Sequence, residues 1–128
     1  MSLLRRVDVT PFNGQVELSD PKANDYPQWQ TGSEPAVAVP QSIAVATQSD
    51  SDGKVAVEVW TNQLEVEGVE LRPVYEGEFL LSDDHAVVGN TVGHEFHLIP
   101  LSPGRHHVKV FTSGADAAPN AVYFLVED

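Results

Sequence analysis

Residues 94–113 read HEFHLIPLSPGRHHVKVFTS. Two short runs of alternating apolar residues flank Pro103 and Gly104, and the alternation has the two-residue period of a strand. A Pro-Gly pair between two such runs is a turn signal. The spacing predicts a β-hairpin with Leu98 opposite Val108, and with Phe96, Leu98, Val108 and Val110 facing the core. In that register His97 and His107 lie diagonally on the outer face. A slip of one residue would exchange the two faces.

The same period runs through the rest of the chain. In VAVEVW, Val55, Val57 and Val59 share one face while Ala56, Glu58 and Trp60 share the other. SIAVAT repeats the pattern at Ile43, Val45 and Thr47, and the turn formers of QSDSDG join these two runs into a second expected hairpin. Further strands are expected at Gln15–Leu18, Val69–Tyr75, Glu78–Leu81, Phe96–Ile99, His107–Phe111 and Val122–Val126. No stretch has helical spacing. The expected fold is all-β, an antiparallel β-sandwich of about eight short strands with little or no helix, occupying residues 1–128 as one domain. A chain of this length buries roughly two-thirds of its unfolded surface and needs no covalent staple.

The segment SDPKANDYPQWQTGSEPAVAVPQ, residues 19–41, is the least regular and holds four prolines. It is expected to lie across an edge or one end of the sandwich, with Trp29 plugging the core.

The formal net charge is −12, from 19 acidic and 7 basic residues. Direct binding to a phosphate backbone needs basic patches, and this chain has none to offer. An acidic surface serves solubility, and it also suits a basic protein partner. There is no cysteine, which removes disulfides and thiolate metal sites. The opening residues contain no apolar run long enough for a signal peptide or a membrane span, so a cytoplasmic location is expected.

Four of the five histidines fall in the opening stretch. His97 and His107 offer two ring nitrogens, but a catalytic zinc needs three protein ligands. Glu95 lies two residues further along, Lys109 opposes a cation, and His94 and His106 have the opposite parity. No metal and no cofactor is expected. Asp50–Gly53, DSDG, lacks the later ligands of a calcium loop and reads as a turn. Ser82, Asp84 and His85 contain the letters of a catalytic triad, yet they fall in one turn without a nucleophile motif.

The most distinctive run is LEVEGVELRPVYEGEFLL, residues 64–81. Leu64, Val66, Val69 and Leu71 face inward if Gly68 forms a bulge that restores the phase. Glu65, Glu67, Glu70, Glu76 and Glu78 then project outward as an acid row, offset only by Arg72. Such a row either protects a strand edge or forms a partner-binding face, to which the Trp29 loop is added as a candidate.

The order of these pieces resembles the competence protein J family, inhibitors of a bacterial DNA-entry nuclease. The resemblance is carried by the early strand Phe12–Leu18, the loop residues Tyr26, Pro27 and Trp29, the strand Ile43–Thr47 and the block EGEFLL. Its strongest part is the pattern Leu101, Pro103, Gly104 and Val108, followed by Phe111, Thr112 and the final strand Val122–Val126. It implies a small β-sandwich without catalytic residues. The chain departs from the family at TGSEPAVAVPQ, whose prolines replace a short acidic helical piece, and no inhibitory residue carries over.

The expected function is a non-enzymatic interaction protein, an inhibitor or immunity partner of a basic protein such as a nuclease. Two alternatives stand beside it: a ligand- or carbohydrate-binding sandwich using the Trp29 loop, and a metal-dependent enzyme using the histidines. Salt dependence separates the first two, and metal content isolates the third.

Overall fold

A computed structural model describes residues 3–114 and 118–127. Ten strands form two five-stranded sheets, packed face to face. The strands are β1 (Leu3–Val9), β2 (Gln15–Ser19), β3 (Ala36–Val39), β4 (Ser42–Ala46), β5 (Val55–Thr61), β6 (Leu71–Leu81), β7 (His85–Asn90), β8 (Glu95–Pro100), β9 (Gly104–Ser113) and β10 (Ala121–Glu127). One sheet has the order β1-β5-β10-β9-β6 and the other β3-β4-β2-β7-β8. All neighbours are antiparallel except β5 and β10. The expected β-sandwich is therefore observed. Strands β1, β3 and β7 were not foreseen; Leu71–Tyr75 and Glu78–Leu81 belong to the single strand β6, and Val69 and Glu70, expected in a strand, precede it.

Alternation does what it predicts in the central strands. Val55, Val57 and Val59 of β5 point inward, as do Val108 and Val110 of β9 and Val122, Phe124 and Val126 of β10. From the other sheet Val16, Leu18, Ile43, Val45, Ala86, Val88 and Ile99 meet them. Burial on this scale, at about 25 cal/mol per Å² of apolar surface, is what holds two sheets together.

Both expected hairpins are corrected. β4 pairs with β2 and β3, while β5 pairs with β1 and β10, so QSDSDG carries the chain from one sheet to the other. Asp50–Asp52 is a short 3-10 turn closed by Gly53 at φ 110°. Likewise β8 pairs only with β7, and β9 pairs with β6 and β10. The Pro103-Gly104 turn is an arch between sheets.

The register of β8 is also corrected. Ile99 is fully buried, whereas Phe96 and Leu98 are about half exposed. Leu98 lies opposite Val87 on the outer face, and Ile99 lies opposite Ala86 on the inner one. The sequence FHLI has apolar residues at both parities, so alternation alone left the choice open. The polar inward residues of β8 satisfy each other. His97 Nε2 and Glu95 Oε2 are 2.7 Å apart, and Thr10 N–H donates to Glu95 Oε1 at 3.0 Å. Burial acts to raise the Glu95 pKa, but the bonds from His97 and Thr10 outweigh it and hold it below the ordinary value.

The histidines do not converge. His94 lies in the β7–β8 turn at φ 52°, His97 faces inward at the margin of one sheet, and His107 faces outward on the other. His106 is buried, with its Nε2 2.7 Å from the Ser102 carbonyl. No helix among the described residues is long and apolar enough to cross a membrane.

Candidate functional site

Two connections share an unusual geometry, and they build the two candidate faces. β2 and β3 run in the same direction within one sheet, and β5 and β6 do so in the other. Each connection must therefore return the chain along the length of the sandwich. The core is filled, so both cross an outer face.

The first crossing is residues 62–70. Thr61 ends beside Val126, where Asn62 N–H donates to the Val126 carbonyl. Leu71 begins at the other end opposite Ser113, where Gly114 N–H donates to the Glu70 carbonyl. Gly68 has φ 73°, a left-handed turn position in this strap, in place of the expected strand bulge. Trp60, Tyr123 and Leu125 face away from the core yet are only 6–8 % exposed. They lie on the sheet that the strap crosses, and Leu64 and Val66 of the strap are half-buried. Burial raises the Tyr123 pKa and the nearby Glu58 adds to the rise, with Arg6 opposing it. Leu64 and Val66 therefore do face the protein, but onto its outside, and Val69 is exposed.

The strap divides the acid row. Glu65, Glu67 and Glu70 are exposed on it and make no side-chain ion pair among the described residues. Glu76 and Glu78 are exposed on β6, but β9 sets a row of bases beside them. Glu76 Oε2 is 2.6 Å from His107 Nε2, and Glu78 Oε2 is 2.9 Å from Arg105 Nε. Lys109 lies 3.5 Å from Glu127, which also approaches His107 at 4.0 Å. The expectation that Arg72 alone offsets the five acids is thus corrected. Arg105, His107 and Lys109 belong to the alternate residues of β9, and only strand pairing brings them to the acids.

The second crossing is residues 20–35, on the opposite face of the molecule. It lies across an outer face, where an edge or end was expected. Trp29 does not plug the core: it is partly exposed and donates from Nε1 to Gln15 Oε1 at 2.9 Å. The structure therefore separates Trp29 from the acid row by the full thickness of the sandwich. Glu34 ties the end of the crossing. Its carboxylate accepts from the Thr31 hydroxyl and from the Gln30 and Thr31 N–H groups, with the Thr31 hydroxyl lowering its pKa most, to about 2.

The start of this crossing is anchored by Asp20, which is 2 % exposed. It accepts from Ser82 N–H and hydroxyl, from Lys22 N–H and from the Gln41 amide. Burial pushes the Asp20 pKa up, but the bonds from the Ser82 hydroxyl and the two backbone N–H groups outweigh it, so the pKa is lowered. A lowered folded-state pKa contributes stability that is present above the unfolded value and is lost as pH falls through the folded value. Asp20→Asn is expected to cost about 1–3 kcal/mol, because an amide NH₂ would face donors. The cost should be full near neutral pH and shrink below about pH 4, which urea unfolding at two pH values measures. A pH-independent cost would remove the carboxylate from this account.

Between the crossing and the sheet lie two hollows. One, of about 280 Å³, is lined by Ser19, Ala23, Tyr26, Val87, Thr91 and Phe96 among others. The second, of about 180 Å³, reaches Gln15, Glu17, Tyr26, Pro27, Ala44 and Val92. Sequence reasoning missed this face, since Phe96 was assigned to the core. Asp83, Asp84 and His85 bring three potential ligand atoms close together in the β6–β7 turn, where Lys22 Nζ lies 3.4 Å from Asp83.

No family model matches the sequence, and no curated protein matches it. Solved structures do match the fold. Crocagin biosynthetic gene J superposes over 96 % of its own length, with a TM-score of 0.60, 10 % identity and 99 % of the present chain covered. The structure of ComJ from Bacillus subtilis, described as an inhibitor of the DNA degrading activity of NucA, superposes with a TM-score of 0.78 at 11 % identity, covering 100 % of this chain. The ten strands and their two crossings thus have the ComJ-like fold.

Proposed function

We propose that this protein is a non-enzymatic binding protein that inhibits or shields a basic protein partner, a nuclease being the foremost class. The observation that carries this reading is the strap. Glu65, Glu67 and Glu70 stand exposed, without a side-chain ion pair among the described residues, on a chain of net charge −12. Three carboxylates on an exposed strap present negative charge to a cationic cleft as a phosphate row does. The ComJ-like fold supports the reading, since ComJ is described as an inhibitor of a DNA-degrading protein. Glu76 and Glu78 contribute at the margin of the face, where Arg105 and His107 partly neutralise them. Trp29 belongs to a separate surface.

The test begins with immobilised protein and extract of the native host, assaying DNA degradation in the bound and unbound fractions. Association kinetics of the captured partner then follow at two salt levels. Electrostatic encounter weakens as screening shortens to about 8 Å at physiological ionic strength. Glu65→Lys with Glu67→Lys is expected to leave the fold intact and lower the on-rate by about tenfold or more at low salt. Glu76→Lys should do less. Binding that is insensitive to salt, or unchanged by the double reversal, would reduce the acid row to a solubilising face.

A further inference from the structure

The face opposite the strap carries a second site, independent of the acid row. Glu17 projects outward from β2 yet is only 7 % exposed. Its Oε1 accepts from Thr91 N–H at 3.0 Å and from the Thr91 hydroxyl, and its Oε2 accepts from the Gln15 amide at 3.2 Å. These are all neutral donors. A carboxylate oxygen has two lone pairs, so Oε2 keeps acceptor capacity. Neither hollow has a lysine, arginine or histidine in its lining. A largely buried carboxylate without a cation is costly, and a cation brought to it is bound in a weakly screened setting.

The walls suit the same cation. Tyr26 and Phe96 are 53 % and 52 % exposed, large aromatic surfaces left in water beside the hollow. Aromatic faces attract a cation, and they also pack an aliphatic stem. Val92, in the lining of the smaller hollow, and Leu98, on β8, add to the exposed apolar surface, 51 % and 49 % exposed. A lone amine would leave that surface in water, whereas an extended chain would cover it.

We infer that this cleft binds a lysine or arginine side chain presented by an extended segment of a protein partner, with the stem between Tyr26 and Phe96 and the charged head directed to Glu17. The hollow of about 280 Å³ lies beside Tyr26 and Phe96, and Glu17 lines the adjoining hollow of about 180 Å³ that shares Tyr26 and Thr91 with it. The larger one suits one long side chain and falls just below the usual range for drug-sized ligands.

The test uses the whole protein and three probes: a blocked Ala-Ala-Lys-Ala-Ala peptide, the same peptide with norleucine for lysine, and n-butylamine. Backbone amide shifts in an NMR titration locate and quantify binding. The lysine peptide is expected to shift Gly89, Thr91 and Phe96, and to bind at least about tenfold more tightly than the norleucine peptide. Glu17→Gln should erase that difference while preserving the rest of the spectrum, because glutamine retains an acceptor for Thr91. If that variant unfolds, Phe96→Ala, at a half-exposed position, is expected to weaken the lysine peptide instead. The inference is overturned if shifts appear on residues 65–70 or nowhere, if the norleucine peptide binds equally, or if n-butylamine binds as tightly as the peptide. The last result would make this a small-amine site. Shifts on residues 65–70 would report the acid row instead, whose variants lie on the strap; the other outcomes leave that reading untouched.

Discussion

Phe124→Ala is expected to lower the free energy of unfolding by about 3–5 kcal/mol. Phe124 is fully buried in β10, the middle strand of its sheet. Val59 and Val110, both fully buried, are its partners on the two sides. Removing the ring forfeits its transfer free energy and leaves a cavity that strands paired on both sides cannot easily close. Domains of this kind are stable by about 5–15 kcal/mol, so the variant should unfold at much lower urea concentration. A loss under about 1 kcal/mol in urea unfolding would mean that β10 is not central to the core.

Gly89→Ala should be nearly as damaging, for a different reason. Gly89 lies in β7 opposite Phe96 of β8. A Cβ placed there would stand 1.9 Å from the Glu95 carbonyl oxygen and 2.8 Å from its carbon. Those are backbone atoms, so no rotamer change relieves the clash. Glycine is required because two backbones approach closely. The pairing of β8 must open or shift, at a cost of about 2–4 kcal/mol. Hydrogen exchange separates this from a general loss of stability. Amides of β8 should lose protection while those of β5 and β10 keep more of theirs. Uniform loss across both sheets, or none, would show that β8 does not carry the strain. Because β8 holds Phe96, the same variant should disturb the cleft while leaving the strap acids in place.

The strand periods were legible where a strand is buried on one face and apolar at one parity only. β9 is of that kind, and in β5 the valine alternation stands out despite Trp60; β10, apolar at both parities and buried on both faces, is not. The turn at Asp50–Gly53 was also readable, because it depends on local spacing, whereas the placement of His97 and His107 was not: they were expected together on one outer face and lie in different sheets. The all-β class was readable too, since nothing competes with the two-residue period.

Pairing was not legible, because a turn sequence between two strands is compatible with a hairpin in one sheet or an arch between two. Pro103-Gly104 and QSDSDG are both arches, decided by which strand supplies the better neighbour across the whole sheet. The face of β8 was undecided for a related reason. Phe96 and Leu98 compete with Ile99, and pairing with Ala86 and Val87 of β7 breaks the tie. The exposure of Glu65, Glu67 and Glu70 could be anticipated, but not the bases beside Glu76 and Glu78, which come from a strand some thirty residues away. The sequence by itself determined an acidic all-β chain with a defined set of core valines, because burial and alternation are local properties. Only the tertiary structure decided that two connections cross opposite outer faces. The direction of a strand within its sheet depends on every pairing between it and its predecessor, and no local pattern encodes that.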